Sequence, residues 1–209
     1  MCDIKGVEMS IMMSIKNLAV VCLSLHLFAC ATYPATSPRP THWANVIKSD
    51  ANFYEVDDGV YRSEMPITDD VPMMVSKNIK TVINLQYKNQ DKDAQIFDES
   101  ITLINEPILT WQARPAQIAR ALYAIEQGKQ NGGVLVHCYH GADRTGVVIA
   151  MYRVIYQGWD IEMARDEMKH GGYGFHKIWK NLDNMLSPLG VMQVQTELDE
   201  LKSAQEPSI

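Results

Sequence analysis

The sequence predicts an α/β fold: a single domain with a central, mainly parallel sheet flanked by helices. Three observations point there. Short apolar runs of strand length alternate with stretches of helical periodicity. One run, Val134-Leu135-Val136-His137, passes through a glycine-containing loop directly into an apolar stretch of helix length, the order expected at the carboxyl end of a strand in an open α/β sheet. The composition, 209 residues with 46% hydrophobic and 21% charged, suits one domain with a sizeable core.

The elements follow in order. Residues 53–56 and 60–62 flank Asp57-Asp58-Gly59, whose Asp-Gly pair is a hairpin turn signal. Thr68 is expected to cap a short helix over residues 69–77, with Pro72 tolerated in its first turn. Thr81-Val82-Ile83-Asn84-Leu85 reads as a buried strand, followed by a loop through Lys88 to Asp93, a polar helix over 94–99 and a strand at 102–105. Pro115 opens a helix that places Ile118, Leu122 and Ile125 on one face and ends at Gly128. After the strand 134–137 come helices over 147–156, 161–169, 175–186 and 191–201. The glycine-rich stretch 171–176 reads as a joint between two of them, with a place bordering the site as its alternative, and Trp111 as a half-buried core side chain, with a place flanking the pocket as its alternative. No internal repeat is visible.

The chain ahead of this domain has a different character. Residues 18–28 are apolar, follow Lys16, and are too short for a spanning helix of roughly 20 residues. They read as the core of a secretory signal, with Met12 or Met13 as an alternative start because Asp3 and Glu8 offset Lys5. Leu27-Phe28-Ala29-Cys30 resembles a bacterial lipobox, with Phe28 and His26 departing from the usual pattern. The expected organisation is a signal segment over 1–30 with lipidation at Cys30, a proline-rich tether over 31–51, and the folded domain over 52–209. The resemblance implies export to the periplasmic side of a bacterial envelope and a membrane anchor at Cys30. With Cys2 and Cys22 removed and Cys30 acylated, Cys138 is left as the free thiol.

The net charge of −6 and the lack of a basic cluster argue against a general nucleic-acid binder. No Cys/His cluster has zinc spacing, and no cofactor is implied.

The chemistry concentrates in one loop. A strand, a tight loop and a helix N-terminus bring free backbone N–H groups and the positive end of the helix to one point, an anion-binding arrangement. Cys138 is placed to face that nest, where the same donors can stabilise the negative charge of a thiolate. Arg144 adds a planar, permanently charged fork for phosphate oxygens. A buried cysteine ending a core strand does not account for the glycine, arginine and hydroxyl at this spacing.

The string His137-Cys138-Tyr139-His140-Gly141-Ala142-Asp143-Arg144-Thr145-Gly146 resembles the Cys-x5-Arg loop of the cysteine-dependent protein phosphatases, in the form found in the dual-specificity branch. Val60-Tyr61-Arg62-Ser63, then Met65-Pro66 and the strand 81–85, are similar to the opening of small bacterial dual-specificity-like phosphatases, so the resemblance spans roughly residues 52–156. It implies a dual-specificity-phosphatase-like fold and hydrolysis of phosphate monoesters, first of all protein phosphotyrosine and also phosphoserine or phosphothreonine. An inositol phosphate or phosphoinositide is the alternative substrate; a phosphate-binding pseudophosphatase is the alternative without turnover. The implied partner is a phosphorylated protein or a small phosphate ester.

The same resemblance implies the roles. Cys138 is the nucleophile that forms a cysteinyl-phosphate. Arg144 and the loop N–H groups of Tyr139, His140, Gly141, Ala142, Asp143 and Arg144 hold the phosphoryl oxygens. Thr145 supports the thiolate, His137 braces the loop, and Arg62 lies near the site, with a salt bridge on the sheet as its bland alternative. His140 adds charge at the rim. Family members place the general acid, an aspartate, in a separate upstream loop, but residues 105–115 contain none. Three readings of the proton source stay open: Asp143 within the loop, Glu106, or no strong acid at all.

Overall fold

A computed structural model describes residues 39–204. Its centre is a six-stranded sheet in the order β1-β2-β3-β6-β4-β5, built from β1 (Asn45–Lys48), β2 (Phe53–Asp57), β3 (Val60–Ser63), β4 (Ile79–Asn84), β5 (Thr102–Asn105) and β6 (Gly133–His137). The pairs β1–β2 and β2–β3 are antiparallel; β3–β6, β6–β4 and β4–β5 are parallel. The sheet is therefore mixed and mostly parallel, as expected. Around it lie α1 (Val71–Ser76), α2 (Pro115–Gly128), α3 (Asp143–Gln157), α4 (Ile161–His170), α5 (Lys180–Met185) and α6 (Pro188–Ser203).

β6 sits between two parallel neighbours and is covered on both faces. Val134 and Val136 pack with α2 and α3 in the larger apolar cluster, while Leu135 points to a smaller one with Phe53, Met74 and Val82. This double burial is why the strand reads as a continuous apolar run, not an alternating one. Removing Leu135 from water is worth about 1.5–3 kcal/mol before packing is counted. Gly128, the last residue of α2, lies where the helix presses on the sheet: a Cβ there would lie 2.8 Å from Val134 Cγ2.

Four expectations are corrected. The sheet starts before residue 52, inside the stretch expected to be tether. Arg39 donates through Nε and Nη2 to the Ala44 carbonyl at 3.1 and 2.8 Å, and Ala44 N–H donates to Glu167 Oε1 at 2.7 Å, so the chain is already packed when β1 begins. Thr68 is not the cap; the Asp70 carboxylate accepts the Ile67 N–H at 3.1 Å and also binds Lys48 at 2.6 Å. The polar helix over 94–99 is only a 3-10 turn at Asp93–Gln95, because Asp93 is drawn into the core. The helix expected over 175–186 begins at Lys180, since the Asp143 carboxylate takes the His176 N–H at 2.8 Å and Gly172 and Gly174 hold φ of +81° and +85°. The expected signal segment and Cys30 lie outside the described residues.

Candidate active site

The loop between β6 and α3 carries the chemistry because three elements end beside it. Cys138 follows the last residue of β6 and is 2% exposed. No acceptor among the described residues takes the N–H groups of residues 139–144, so these donors remain free around the sulfur at the N-terminus of α3. Orphan donors and a helix N-terminus together favour an anion. Thr145 Oγ1 is buried there and has no partner among the described residues.

Gly141 is required by geometry. Its φ is +67°, and an added Cβ would lie 2.5 Å from the Ser63 carbonyl oxygen and 2.6 Å from the Glu64 nitrogen. The loop is thus pressed against the exit of β3, where Met65 N–H also donates to the Tyr139 carbonyl at 3.1 Å. From β3 itself, Arg62 Nη2 donates to the Gly141 carbonyl at 2.6 Å, and its guanidinium lies 3.5 Å from the centre of the Tyr173 ring. Among the described residues Arg62 makes no salt bridge, on the sheet or elsewhere.

The opposite flank comes from β4. Leu85 N–H donates to the His137 carbonyl at 2.9 Å, and Arg144 Nη1 donates to the Leu85 carbonyl at 3.3 Å. Beneath the loop, Asp93 Oδ2 is shared by Asn84 Nδ2 at 2.8 Å and His137 Nε2 at 3.1 Å, all three side chains being buried. His137 Nδ1 faces the Cys138 carbonyl at 3.3 Å.

A cavity of about 270 Å³ opens beside Arg144, walled by Tyr87, Ile108, Leu109, Trp111 and Tyr139. Trp111 is 62% exposed, which corrects its expected place in the core. No carboxylate lines this cavity. Glu106 is engaged with Arg120 at 2.9 Å. Asp143 is engaged with His176, accepting its N–H at 2.8 Å and facing its ring Nδ1 at 2.9 Å. Among the described residues no cluster of His, Cys, Asp or Glu is arranged to hold a metal ion.

This arrangement matches known proteins. The family described as "Polymorphic toxin system, DSP-PTPase phosphatase" matches residues 56–158, the segment that contains β3, β4, β6 and the loop. Over that segment the chain is similar to the DSP-PTPase phosphatase family. It is 32% identical over 148 residues to the dual specificity protein phosphatase TpbA of Pseudomonas aeruginosa, covering 71% of this chain and 66% of that protein, just under two thirds of its length. A crystal structure of a cysteine-to-serine variant of P. aeruginosa TpbA in complex with phosphotyrosine has a TM-score of 0.70 at 27% identity, covering 77% of this chain and 98% of that one. The inositol diphosphatase DSP2 of Oryza sativa subsp. japonica is 24% identical over 133 residues, covering 61% of this chain and 65% of that protein.

In DSP-PTPase terms, the structure brings Cys138, Tyr139, His140, Gly141, Ala142, Asp143, Arg144 and Thr145 into one loop, with His137 and Arg62 braced against it. Four participants were missed in the sequence. Asp93 looks like a solvated loop acid. Asn52 sits in a turn, yet its Nδ2 donates to the carbonyls of His140 at 2.8 Å and Tyr173 at 2.9 Å. Tyr173 and His176, not singled out individually, belong to the glycine-rich stretch read as a joint or as a border of the site, and it lies against the loop. The spaced glycines were a signal for a shaped segment; nothing local marked Asp93 or Asn52.

Proposed function

We propose that this protein is a phosphatase that hydrolyses phosphate monoesters, with protein phosphotyrosine as substrate and phosphoserine or phosphothreonine as secondary ones. The observation that carries the reading is the aromatic-walled cavity opening at Arg144, beside a buried cysteine surrounded by free N–H donors. A phosphotyrosine ring has the shape and polarity for such walls, and its phosphoryl group then meets Arg144 and the loop. TpbA, seen with phosphotyrosine, supports the same reading.

The Cys138 thiolate attacks phosphorus; the S–P bond forms, the P–O ester bond breaks, and the leaving oxygen takes a proton. Arg144 and the N–H groups of 139–144 hold the three phosphoryl oxygens as charge redistributes. Water then attacks phosphorus, the S–P bond breaks, and inorganic phosphate leaves with the thiolate restored. For the proton we favour Asp143, acting as a pair with His176 across their 2.9 Å contact, because Asp143 is the carboxylate within the loop and Glu106 is bound to Arg120. The pair gives one proton in the first step and recovers one from water in the second.

The experiment is release of phosphate from phosphotyrosine, phosphoserine and phosphothreonine peptides and from inositol phosphates, beside Cys138→Ser. Cysteine-dependent turnover led by phosphotyrosine is the expected result. Preference for an inositol phosphate would replace the substrate reading, and tight binding without turnover would establish a pseudophosphatase.

We also propose that the chain is exported and held at the periplasmic face by lipid on Cys30, on the strength of the apolar run 18–28 and the lipobox-like residues 27–30. Cys30→Ala should move the protein from the membrane to the soluble fraction; unchanged partitioning would refute the anchor.

A further inference from the structure

We propose that Arg62 is the resident counter-cation of the Cys138 thiolate, a positioning residue that keeps the nucleophile ionised whether or not substrate is bound. The inference rests on Cys138 being the nucleophile and adds a source of its reactivity from outside the loop.

Among the described residues Arg62 is the largest wholly buried side chain, 1% exposed, and no carboxylate there forms an ion pair with it. The nearby acid, Glu167, is used elsewhere: Oε2 accepts Arg153 Nε at 2.8 Å, and Oε1 accepts Arg153 Nη2, the Ala44 N–H and the Tyr173 hydroxyl. What Arg62 does have is one carbonyl, that of Gly141 at 2.6 Å, and the face of Tyr173 at 3.5 Å. Its Nε is buried with no partner among the described residues.

A guanidinium does not lose its proton in a protein, and a buried charge without a counter-charge is costly. A ring face and one carbonyl offset only part of that cost. Cys138 supplies the missing negative charge. It follows β6, whose register sets Arg62 opposite Val136 and Ser63 opposite His137, and the carbonyl that Arg62 holds lies three residues further on in the same loop. Burial pulls the guanidinium below its ordinary range, while Tyr173, Glu167 and Cys138 act to raise it again. If Arg62 served only to hold the Gly141 carbonyl, a neutral amide would do as well. The charge is therefore the property to test.

The test is the pH dependence of Cys138 alkylation by iodoacetamide in the full chain, read by mass spectrometry on the Cys138 peptide, for wild type, Arg62→Gln and Arg62→Lys. Glutamine keeps a donor for the carbonyl and removes the charge; lysine keeps the charge and loses the planar fork. Arg62→Gln should slow Cys138 alkylation about tenfold on the acid side, whereas Arg62→Lys should stay within about twofold of wild type. Equal profiles for folded Arg62→Gln and wild type would overturn the proposal. Thermal melts run alongside show which variants fold. If Arg62→Gln does not fold, Arg62→Lys decides, since a folded lysine variant that loses acid-side reactivity would show that charge alone does not set it. Alkylation needs no turnover, so failure of the phosphatase reading would show as missing hydrolysis with the alkylation profiles intact.

Discussion

Asp93→Ala should cost this protein both stability and turnover, though Asp93 is not part of the phosphate loop. Its Oδ2 is the acceptor shared by Asn84 Nδ2 and His137 Nε2, and both donors are buried. Truncation to alanine leaves two buried donors unmet at about 1–3 kcal/mol each, and the lost volume adds to this. A loss of about 3–5 kcal/mol follows, and at about 2–4 °C per kcal/mol for a protein of this size the melting temperature should fall by about 10 °C. Asp93→Asn separates the contributions. Its amide oxygen can accept both bonds while its NH2 takes the place of Oδ1, which has no partner now, so the loss should be about 1–2 kcal/mol. Turnover should drop in Asp93→Ala because His137 precedes Cys138 and the segment after β4, tied down by Asp93, carries Tyr87 on the cavity wall. Thermal and urea melts, with p-nitrophenyl phosphate hydrolysis well below the transition, test this. An alanine variant melting within about 2 °C of wild type and turning over normally would refute the bracing role.

Cys138→Ser should abolish hydrolysis while phosphate analogues still bind, because the N–H donors and Arg144 remain; isothermal titration with an inert phosphate mimic checks binding. Asp143→Asn and His176→Asn should each slow an alkyl phosphate more than p-nitrophenyl phosphate, whose leaving group needs no proton; equal effects on both substrates would remove the pair as proton source. Burial pushes the Glu167 carboxyl up, but the Arg153 guanidinium, the Ala44 N–H and the Tyr173 hydroxyl together hold it below its ordinary value of 4.5, so its contribution is full above that value and lost as pH falls through the lower folded one. Glu167→Gln should therefore cost about 3–5 kcal/mol at pH 7, and its gap to wild type in melting temperature should narrow below pH 4.5. A protein beginning at Asn45 should melt well below one beginning at Arg39, since the cut removes the side-chain bonds of Arg39 to Ala44, Gly171 and Tyr173 and frees the Ala44 site on Glu167; equal melts would return residues 39–44 to the tether.

What was legible in the sequence is what is set locally or by strong periodicity. β6 was legible because burial on both faces demands an unbroken apolar run, and the phosphate loop because cysteine, glycine, arginine and threonine stand at fixed spacing. Helix α2 was legible from Pro115 to Gly128 because its start chemistry and its close approach to Val134 both leave residue signatures. The failures share one cause, a side chain whose partner is distant in the chain. Asp93 meets His137 across 44 residues, and Asn52 meets Tyr173 across 121. His176 gives its N–H to Asp143, which ends the helix expected from residue 175; no local propensity reports that competition. Arg39 likewise looked like part of a proline-rich tether because its anchors, Gly171 and Tyr173, lie at the far end of the domain.

These distant contacts have a common purpose in the architecture. A loop that keeps its N–H groups free for phosphate leaves them without intramolecular bonds, so its own backbone does little to hold its shape. The shape is imposed from both sides. On the β3 side, Arg62 and the Ser63–Met65 exit grip Gly141 and Tyr139; on the β4 side, Leu85 and the Asp93–His137 contact grip the other end. Preorganised donors of this kind are what lower the barrier to phosphoryl transfer, since they need not reorient as charge develops. The braces and the reacting group should then separate cleanly in experiment. Substitutions at Asp93 or Gly141 should lower stability and turnover together, while Cys138→Ser removes turnover and leaves the fold in place. A Gly141→Ala variant that melts like wild type would break this argument, because its Cβ has no room beside Ser63.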